Sequence, residues 1–128
     1  MNSPDDDRKS VAPLCLNLLV IRSDDMPQAV TFYEAMGLKF TLHSHGTGPE
    51  HYSTEANQVV FEIYPASKRY PPTTSTRFGF AVPSVDDTMR SLADRGAEIV
   101  SQPKDSEWGR RAVVKDFDGH FIELTQRS

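Results

Sequence analysis

The chain has one cysteine, Cys15, in 128 residues, so no internal disulfide can staple it. Lying in the apolar run at 14–21, that thiol is expected to be buried and unreactive, and a reducing, cytoplasmic setting fits it. No stretch approaches the roughly 18 apolar residues that would span a bilayer, so a membrane partner is not expected. The first ten residues are polar, with Asp5-Asp6-Asp7, and do not look like a secretory leader; residues 1–11 are expected to be a disordered tail. Fourteen Lys and Arg stand against eighteen Asp and Glu without a basic run, so nucleic acid is not expected as a partner. Nucleophile elbow, P-loop, GxGxxG and CxxC are all missing, leaving acyl transfer, nucleotide binding and dithiol redox chemistry without support.

What is present suffices for one core. Hydrophobic residues make up 38% and charged residues 25%, and seven Phe, four Tyr and one Trp supply large apolar surfaces, so a single domain over 12–127 is expected. The apolar period switches between two and about 3.6. A strand at 14–21 leads to Ser23-Asp24-Asp25 as cap and Pro27 in the first turn of a helix with Met26, Ala29, Val30, Tyr33 and Met36 on one face, ended by Gly37. Strands follow at 39–43, 51–54 and 58–64. The order then recurs: a strand at 77–82, a helix capped by Ser84 and closed by Gly96, and strands at 98–101, 111–114 and 120–125. Asn17 and Arg77 lie 60 positions apart, Gly37 and Gly96 59, Glu62 and Glu123 61, as an internal duplication would leave them. The fold class expected is α+β: two tandem βαβββ modules, about 12–66 and 76–127, joined by a Pro/Thr/Ser linker and forming a curved mixed sheet around a concave cavity.

Alternate residues of a strand face opposite sides. One set reads Leu16, Leu18, Val20; Val59, Phe61, Ile63; Phe78, Phe80, Val82; and Ile122, Leu124. It is wholly apolar and is expected to pack on the helices. The other holds Asn17, Glu62, Tyr64, Arg77 and Glu123 beside Leu19, Val60 and Phe121, the composition of a pocket wall.

The helix segment 26–38 (MPQAVTFYEAMGL), the strand 59–64 (VVFEIY) and the closing WGR and DFDGHFIEL at 108–124 resemble the vicinal oxygen chelate superfamily, the group of glyoxalase I, bleomycin-resistance proteins, fosfomycin-resistance enzymes and extradiol dioxygenases. The resemblance spans about 12–127. It implies paired modules curling around a cavity, commonly in a homodimer with cavities at the subunit interface. In metal-using members one ligand comes from the first strand and one from the last strand of each module; matched here, those positions are Asn17, Glu62, Arg77 and Glu123. Arg77 has no lone pair to give. An ion about 5 Å from its charge would be repelled by roughly 6 to 7 kcal/mol at an effective dielectric near 20. No cofactor is therefore expected, with Arg77 bridging Glu62 and Glu123 where relatives hold the ion; the alternative is a divalent Zn, Ni, Mn or Fe.

Other residues carry smaller expectations. His43, His45 and His51 flank a Gly-bearing loop and are expected to be solvated. Asp116-x-Asp118-Gly119 looks like part of a calcium loop but lacks its later ligands, so a hairpin turn is expected. Trp108 and Arg110 precede a strand, where an aromatic plate and a cation could cover the cavity mouth or Trp108 could instead plug the end of the core; Tyr64 could offer a ligand a phenol or lie at a subunit interface. Three readings fit these residues, the third being a pure interaction module whose cavity is filled by its own side chains. The first is binding of a small organic molecule in a metal-free cavity, cationic or hydrogen-bond-donating because Glu62, Arg77 and Glu123 leave a net negative charge. The second is a lyase, isomerase or dioxygenase with Glu62 or Glu123 as general base and Arg77 stabilising an enolate.

Overall fold

A computed structural model of the chain describes residues 14–126. The tail expected at 1–11 lies outside them. The first half runs β1 (Leu18–Ser23), α1 (Met26–Glu34), β2 (Thr41–His43), β3 (His51–Ala56) and β4 (Val59–Pro65). The second repeats the order with β5 (Arg77–Ala81), α2 (Val85–Asp94), β6 (Glu98–Ser106), β7 (Gly109–Lys115) and β8 (Phe121–Gln126). Each half forms its own four-stranded mixed sheet, in the orders β1-β4-β3-β2 and β5-β8-β7-β6. The first strand of each half runs parallel to the last, and the other pairings are antiparallel.

Both helices start as their sequences require. The Asp25 carboxylate accepts the Gln28 amide at 3.1 Å and Pro27 occupies the first turn; Ser84 Oγ accepts the Asp87 amide at 3.1 Å, with Asp86 and Asp87 near the positive end of the helix dipole. Past their ends the chain turns through Gly37 and Gly96, at φ +110° and +86°, where a side chain would be strained. β6 runs five residues beyond expectation, because an edge strand tolerates Pro103 and the register shifts around Ser101.

The core draws on both halves: Ile21, Phe61 and Ile63 with Ala29, Val30, Phe32 and Tyr33, and Ala112, Val114, Ile122 and Leu124 with Val85, Met89 and Leu92. Burying each large side chain contributes about 1.5 to 3 kcal/mol. The halves meet through these apolar faces. Tyr33 and Phe61 lie against Phe78 and Phe80 at centroid distances of 5.7 to 6.5 Å, and Phe32 meets Phe117 edge-on at 5.6 Å. A buried polar staple crosses the same seam. The Tyr33 hydroxyl donates to Asp116 Oδ2, His120 Nδ1 donates to the same oxygen at 2.8 Å, and the amides of Asp118 and His120 donate to Oδ1 at 3.0 and 2.9 Å. His120 Nε2 lies 2.6 Å from Thr73 Oγ1, which accepts the Arg22 amide at 3.0 Å. With the halves joined apolar face to apolar face, each sheet turns its polar face outward.

One strand has the opposite phase to that expected. Leu19 and Ile21 of β1 sit beside Phe61 and Ile63, so the core set of β1 is Leu19, Ile21 and Ser23. Ile21 is fully buried, whereas Leu16 and Leu18 are 71% and 50% exposed. Cys15, expected to be buried, is exposed. The run at 14–21 is apolar on both faces apart from Asn17, so alternation could not set its phase; pairing with β4 does.

Candidate functional site

On the outward face of the second sheet, strand pairing places Arg77 of β5, Glu123 of β8 and Arg111 of β7 side by side. Arg77 Nε donates to Glu123 Oε2 at 2.5 Å and Arg111 Nη2 to Oε1 at 2.9 Å, so two guanidinium groups clasp one carboxylate. The hydrogen bond from Arg111, then that from Arg77, outweighs partial burial and holds the Glu123 carboxyl below its ordinary range. Gly79, paired with Glu123, gives the clasp its room: a Cβ there would lie 2.9 Å from the Glu123 carbonyl oxygen. Beside the clasp opens a cleft of about 680 Å³ walled by Ser101, Lys104, Asp105, Trp108, Arg111, Glu123 and Thr125. Trp108, 77% exposed on the β6–β7 turn, is its aromatic edge.

Arg110 is not on this face. It points to the helix side, donating to Asp86 of α2 at 2.9 and 3.2 Å and to Asp105 at 3.0 Å. Arg111 holds the place foreseen for it. Alternation along β7 groups Arg111 with Val113 and Lys115, but only the register against β8, with Val113 opposite Glu123, puts that set on the Glu123 face.

Glu62 has a different setting. On β4 it neighbours Val20 and Ser53, and its Oε2 lies 3.7 Å from His51 Nε2. Tyr64 shares the face, stacked on the His51 ring at 4.2 Å and 5°, with the Arg22 guanidinium 4.9 Å from its centroid. His51 is 5% exposed, which corrects the expectation of a solvated loop histidine. It pairs in register with His43, and strand pairing draws it under Tyr64. Among the described residues no contact joins Arg77 to Glu62, so within one chain the expected bridge between two glutamates is only half present. Neither of the two clefts on the second half's face is lined by Glu62.

Asn17 lies ahead of β1, its carbonyl accepting the Val60 amide at 2.8 Å, as the Thr76 carbonyl accepts the Phe121 amide at 2.9 Å in the second half. Asn17 therefore corresponds to Thr76. The counterpart of Arg77 is Leu18, opposite Val60 as Arg77 is opposite Phe121. The first strands repeat at 59 positions and the last at 61, so matching Asn17 to Arg77 at 60 slipped by one.

A divalent ion at the corresponding positions would meet Leu18, Glu62, Arg77 and Glu123. A side chain with no donor and a fixed cation already bonded to one of the acids do not fit it. Asp116, Asp118 and His120 do bring ligand atoms within 4.8 Å of one another. Yet the Asp116 oxygens accept four donors and both His120 nitrogens are engaged, so this group is a staple in the expected turn. A further cleft of about 480 Å³ lies at the seam of the halves and is almost wholly apolar, with Leu19, Met36, Phe61, Phe78, Phe80 and Val82 in its wall. No helix among the described residues is long and apolar enough to cross a membrane.

The paired βαβββ halves and their open polar faces define a class, and comparison with known proteins agrees. Residues 16–124 match the Glyoxalase/Bleomycin resistance protein/Dioxygenase superfamily, and the chain belongs to it. Among solved structures it is similar to TnmS3, an antibiotic binding protein from Streptomyces sp. CB03234, at 25% identity and a TM-score of 0.74, covering 92% of this chain and 99% of that one. It is also similar to a glyoxalase/bleomycin resistance protein from the same organism, at 25% identity and a TM-score of 0.71, covering 88% and 100%. TioX from Micromonospora sp. ML1 shares the fold at 21% identity and a TM-score of 0.70, covering 89% and 99%. A search of curated protein sequences finds no match.

Proposed function

We propose that this protein binds a planar, aromatic small molecule of antibiotic type, without a metal, on the face bearing Arg77, Arg111, Glu123 and Trp108, and that a homodimer completes the cavity. The observation that carries this is the cleft of about 680 Å³ joining the exposed Trp108 to the Arg111–Glu123 pair. An aromatic plate at the rim and a fixed row of donors and acceptors at the wall suit a flat ligand with polar edges. A neighbour of the same fold is an antibiotic binding protein, which favours the same class.

Arg111 changes the charge expected of the ligand. Added to Glu62, Arg77 and Glu123, it brings their formal charge to zero, so the preference for a cation gives way to a neutral ligand. The outward polar faces and the exposed apolar strip of Leu14, Leu16 and Leu18 leading into the edge strand β1 support the homodimer. In such a dimer the Glu62 and Tyr64 face of a second copy would cover the clasp and supply its missing acid. The enzymatic alternative draws no support from Glu123, because two guanidinium groups lower its affinity for a proton and make it a poor general base.

Trp108 is the only tryptophan, so its fluorescence reports on this cleft. Titration with aromatic antibiotics, and with aliphatic amines as the contrasting class, is expected to show saturable quenching by a neutral aromatic compound at one equivalent per chain. Arg111→Met should weaken that binding at least about tenfold, the loss of one charge-assisted bond, and mass spectrometry should find the compound unchanged. Conversion to product, a preference for amines, or binding indifferent to Arg111→Met would overturn the proposal.

A further inference from the structure

We infer that His43, His45 and His51, backed by Glu62, form a binding site for a first-row divalent ion of the zinc, nickel and copper group, separate from the Arg77–Glu123 clasp. The three imidazoles come from the end of β2, the loop after it and the start of β3, and pairing of β2 with β3 sets His43 opposite His51. Their ring centroids are 5.7, 5.8 and 5.6 Å apart, nearly an equilateral triangle. A point equidistant from them lies about 3.3 Å from each, close to the roughly 3.2 Å that separates an ion from the centroid of an imidazole bonded to it at 2.0 to 2.1 Å, although the ring planes lie only 18 to 40° apart and must turn before their lone pairs converge on it.

His51 supplies an independent sign. It is buried, its Nδ1 faces the Pro49 carbonyl at 3.3 Å, and a proton on Nδ1 leaves the Nε2 lone pair free. Among the described residues Nε2 has no hydrogen-bond partner; the Glu62 carboxylate, at 3.7 Å, is too far for one. That gap is about the spacing of two ligands bound to one ion at 2.0 to 2.1 Å each. A buried nitrogen left unpaired costs stability unless something occupies it, and an ion would satisfy the nitrogen and the carboxylate together.

Arg22, the cation of this sheet face, packs on Tyr64 and Tyr70. The only group among the described residues whose ligand atoms already lie within 4.8 Å of one another is that of Asp116, Asp118 and His120, so His43 and His45 must rotate their rings to close on the ion. Both have freedom to do so, His43 being half-buried and His45 exposed. Imidazole nitrogens with one carboxylate suit zinc, nickel and copper rather than calcium or magnesium.

The test is equilibrium dialysis of tag-free, full-length protein against Zn2+, followed by plasma mass spectrometry, with a parallel melting curve. One equivalent bound with a Kd below about 10 μM is expected, with Tm raised by roughly 5–10 °C when free zinc exceeds Kd a hundredfold. His43→Ala/His45→Ala, which leaves the buried His51 in place and should fold, is expected to weaken binding at least tenfold; Asp118→Asn is expected to leave it unchanged. No stoichiometric zinc, or binding that survives the double substitution or disappears in Asp118→Asn, would overturn the site. The ion site shares Glu62 with the wall that the proposed dimer turns toward the clasp, so the antibiotic titration is repeated with a chelator present: antibiotic binding that persists there keeps the proposed function whatever the zinc result, and stoichiometric zinc on the antibiotic-free protein keeps this site whatever the antibiotic result.

Discussion

Replacing Tyr33 by Phe removes one oxygen from the centre of the seam between the halves. Tyr33 is fully buried and its hydroxyl donates to Asp116. The Phe ring would keep the edge contact with Phe61 at 4.9 Å, so little cavity term arises and the cost is that of the hydrogen bond. A bond to a charged acceptor contributes about 1.5 to 3 kcal/mol. At roughly 3 to 4 °C per kcal/mol for a domain of this size, Tm should fall by about 5 to 12 °C. The pH dependence is diagnostic. Burial raises the Asp116 pKa, but bonds from His120 and Tyr33 and the His120 charge outweigh it, leaving the carboxyl below its ordinary value. Stability held by a depressed carboxyl is present above its unfolded pKa of about 3.9 and is lost as pH falls through the lower folded value. The penalty of Tyr33→Phe should therefore be full at pH 7 and shrink only as pH falls from about 4 toward the lower folded value, where the acceptor becomes neutral. Burial and then Asp116 raise the Tyr33 pKa, so the donor stays protonated throughout that window. Urea melts of wild type, Tyr33→Phe, Asp116→Asn and the double variant measure the coupling. A Tyr33→Phe penalty under about 0.5 kcal/mol at pH 7, or one that grows on acidification, would refute the staple as described.

Two more outcomes can be checked. Gly79→Ala should cost about 1 to 3 kcal/mol and weaken ligand binding, because the new methyl meets the Glu123 backbone at 2.9 Å and must push β5 from β8; an unchanged melting curve would contradict this. Leu18→Asp charges the exposed strip leading into β1, and sedimentation velocity should show a wild-type dimer becoming a folded monomer; a monomeric wild type, or a variant that stays dimeric, would remove the homodimer from the proposal.

Most of the fold was legible in the sequence because local chemistry and period agreed. Asp25, Pro27 and Ser84 mark helix starts, Gly37 and Gly96 mark their ends, and Phe61, Ile63, Ile122 and Leu124 alternate with a set that includes Glu62, Tyr64, Glu123 and Thr125. The phase of β1 was not legible: Leu14 to Ile21 offers apolar side chains on both faces, and only the register against β4 selects one. The site was half legible. Arg77 and Glu123 share a strand pair, so alternation brings them together, but Arg111 and His51 reach the polar faces through third strands whose registers no local signal states. How the halves pack was not readable from strand patterns, because an apolar face does not say whether it meets a helix alone or also the other half.

The two glutamates, equivalent by duplication, have acquired opposite neighbours. Glu123 sits between two guanidinium groups, so around it the Arg77 and Arg111 edges that are not bonded to the acid are donors. Glu62 lies 3.7 Å from the Nε2 edge of His51, on a sheet face that also carries the stacked Tyr64 and His51 rings, so in the ion-free protein this face offers acceptors beside a π stack. Pairing these faces in the proposed dimer gives a cavity with donors on one wall and acceptors on the other. A neutral heteroaromatic ligand, with a carbonyl along one edge and an N–H or O–H along the opposite edge, satisfies both walls at once. A simple amine satisfies only the Glu62 wall and leaves its charge facing the guanidinium groups, which costs more than its own hydrogen bonds return. Ranking such compounds by quenching of Trp108, with methylation of one edge at a time, should show both edges contributing; affinity indifferent to either methylation would mean that one wall alone makes the site.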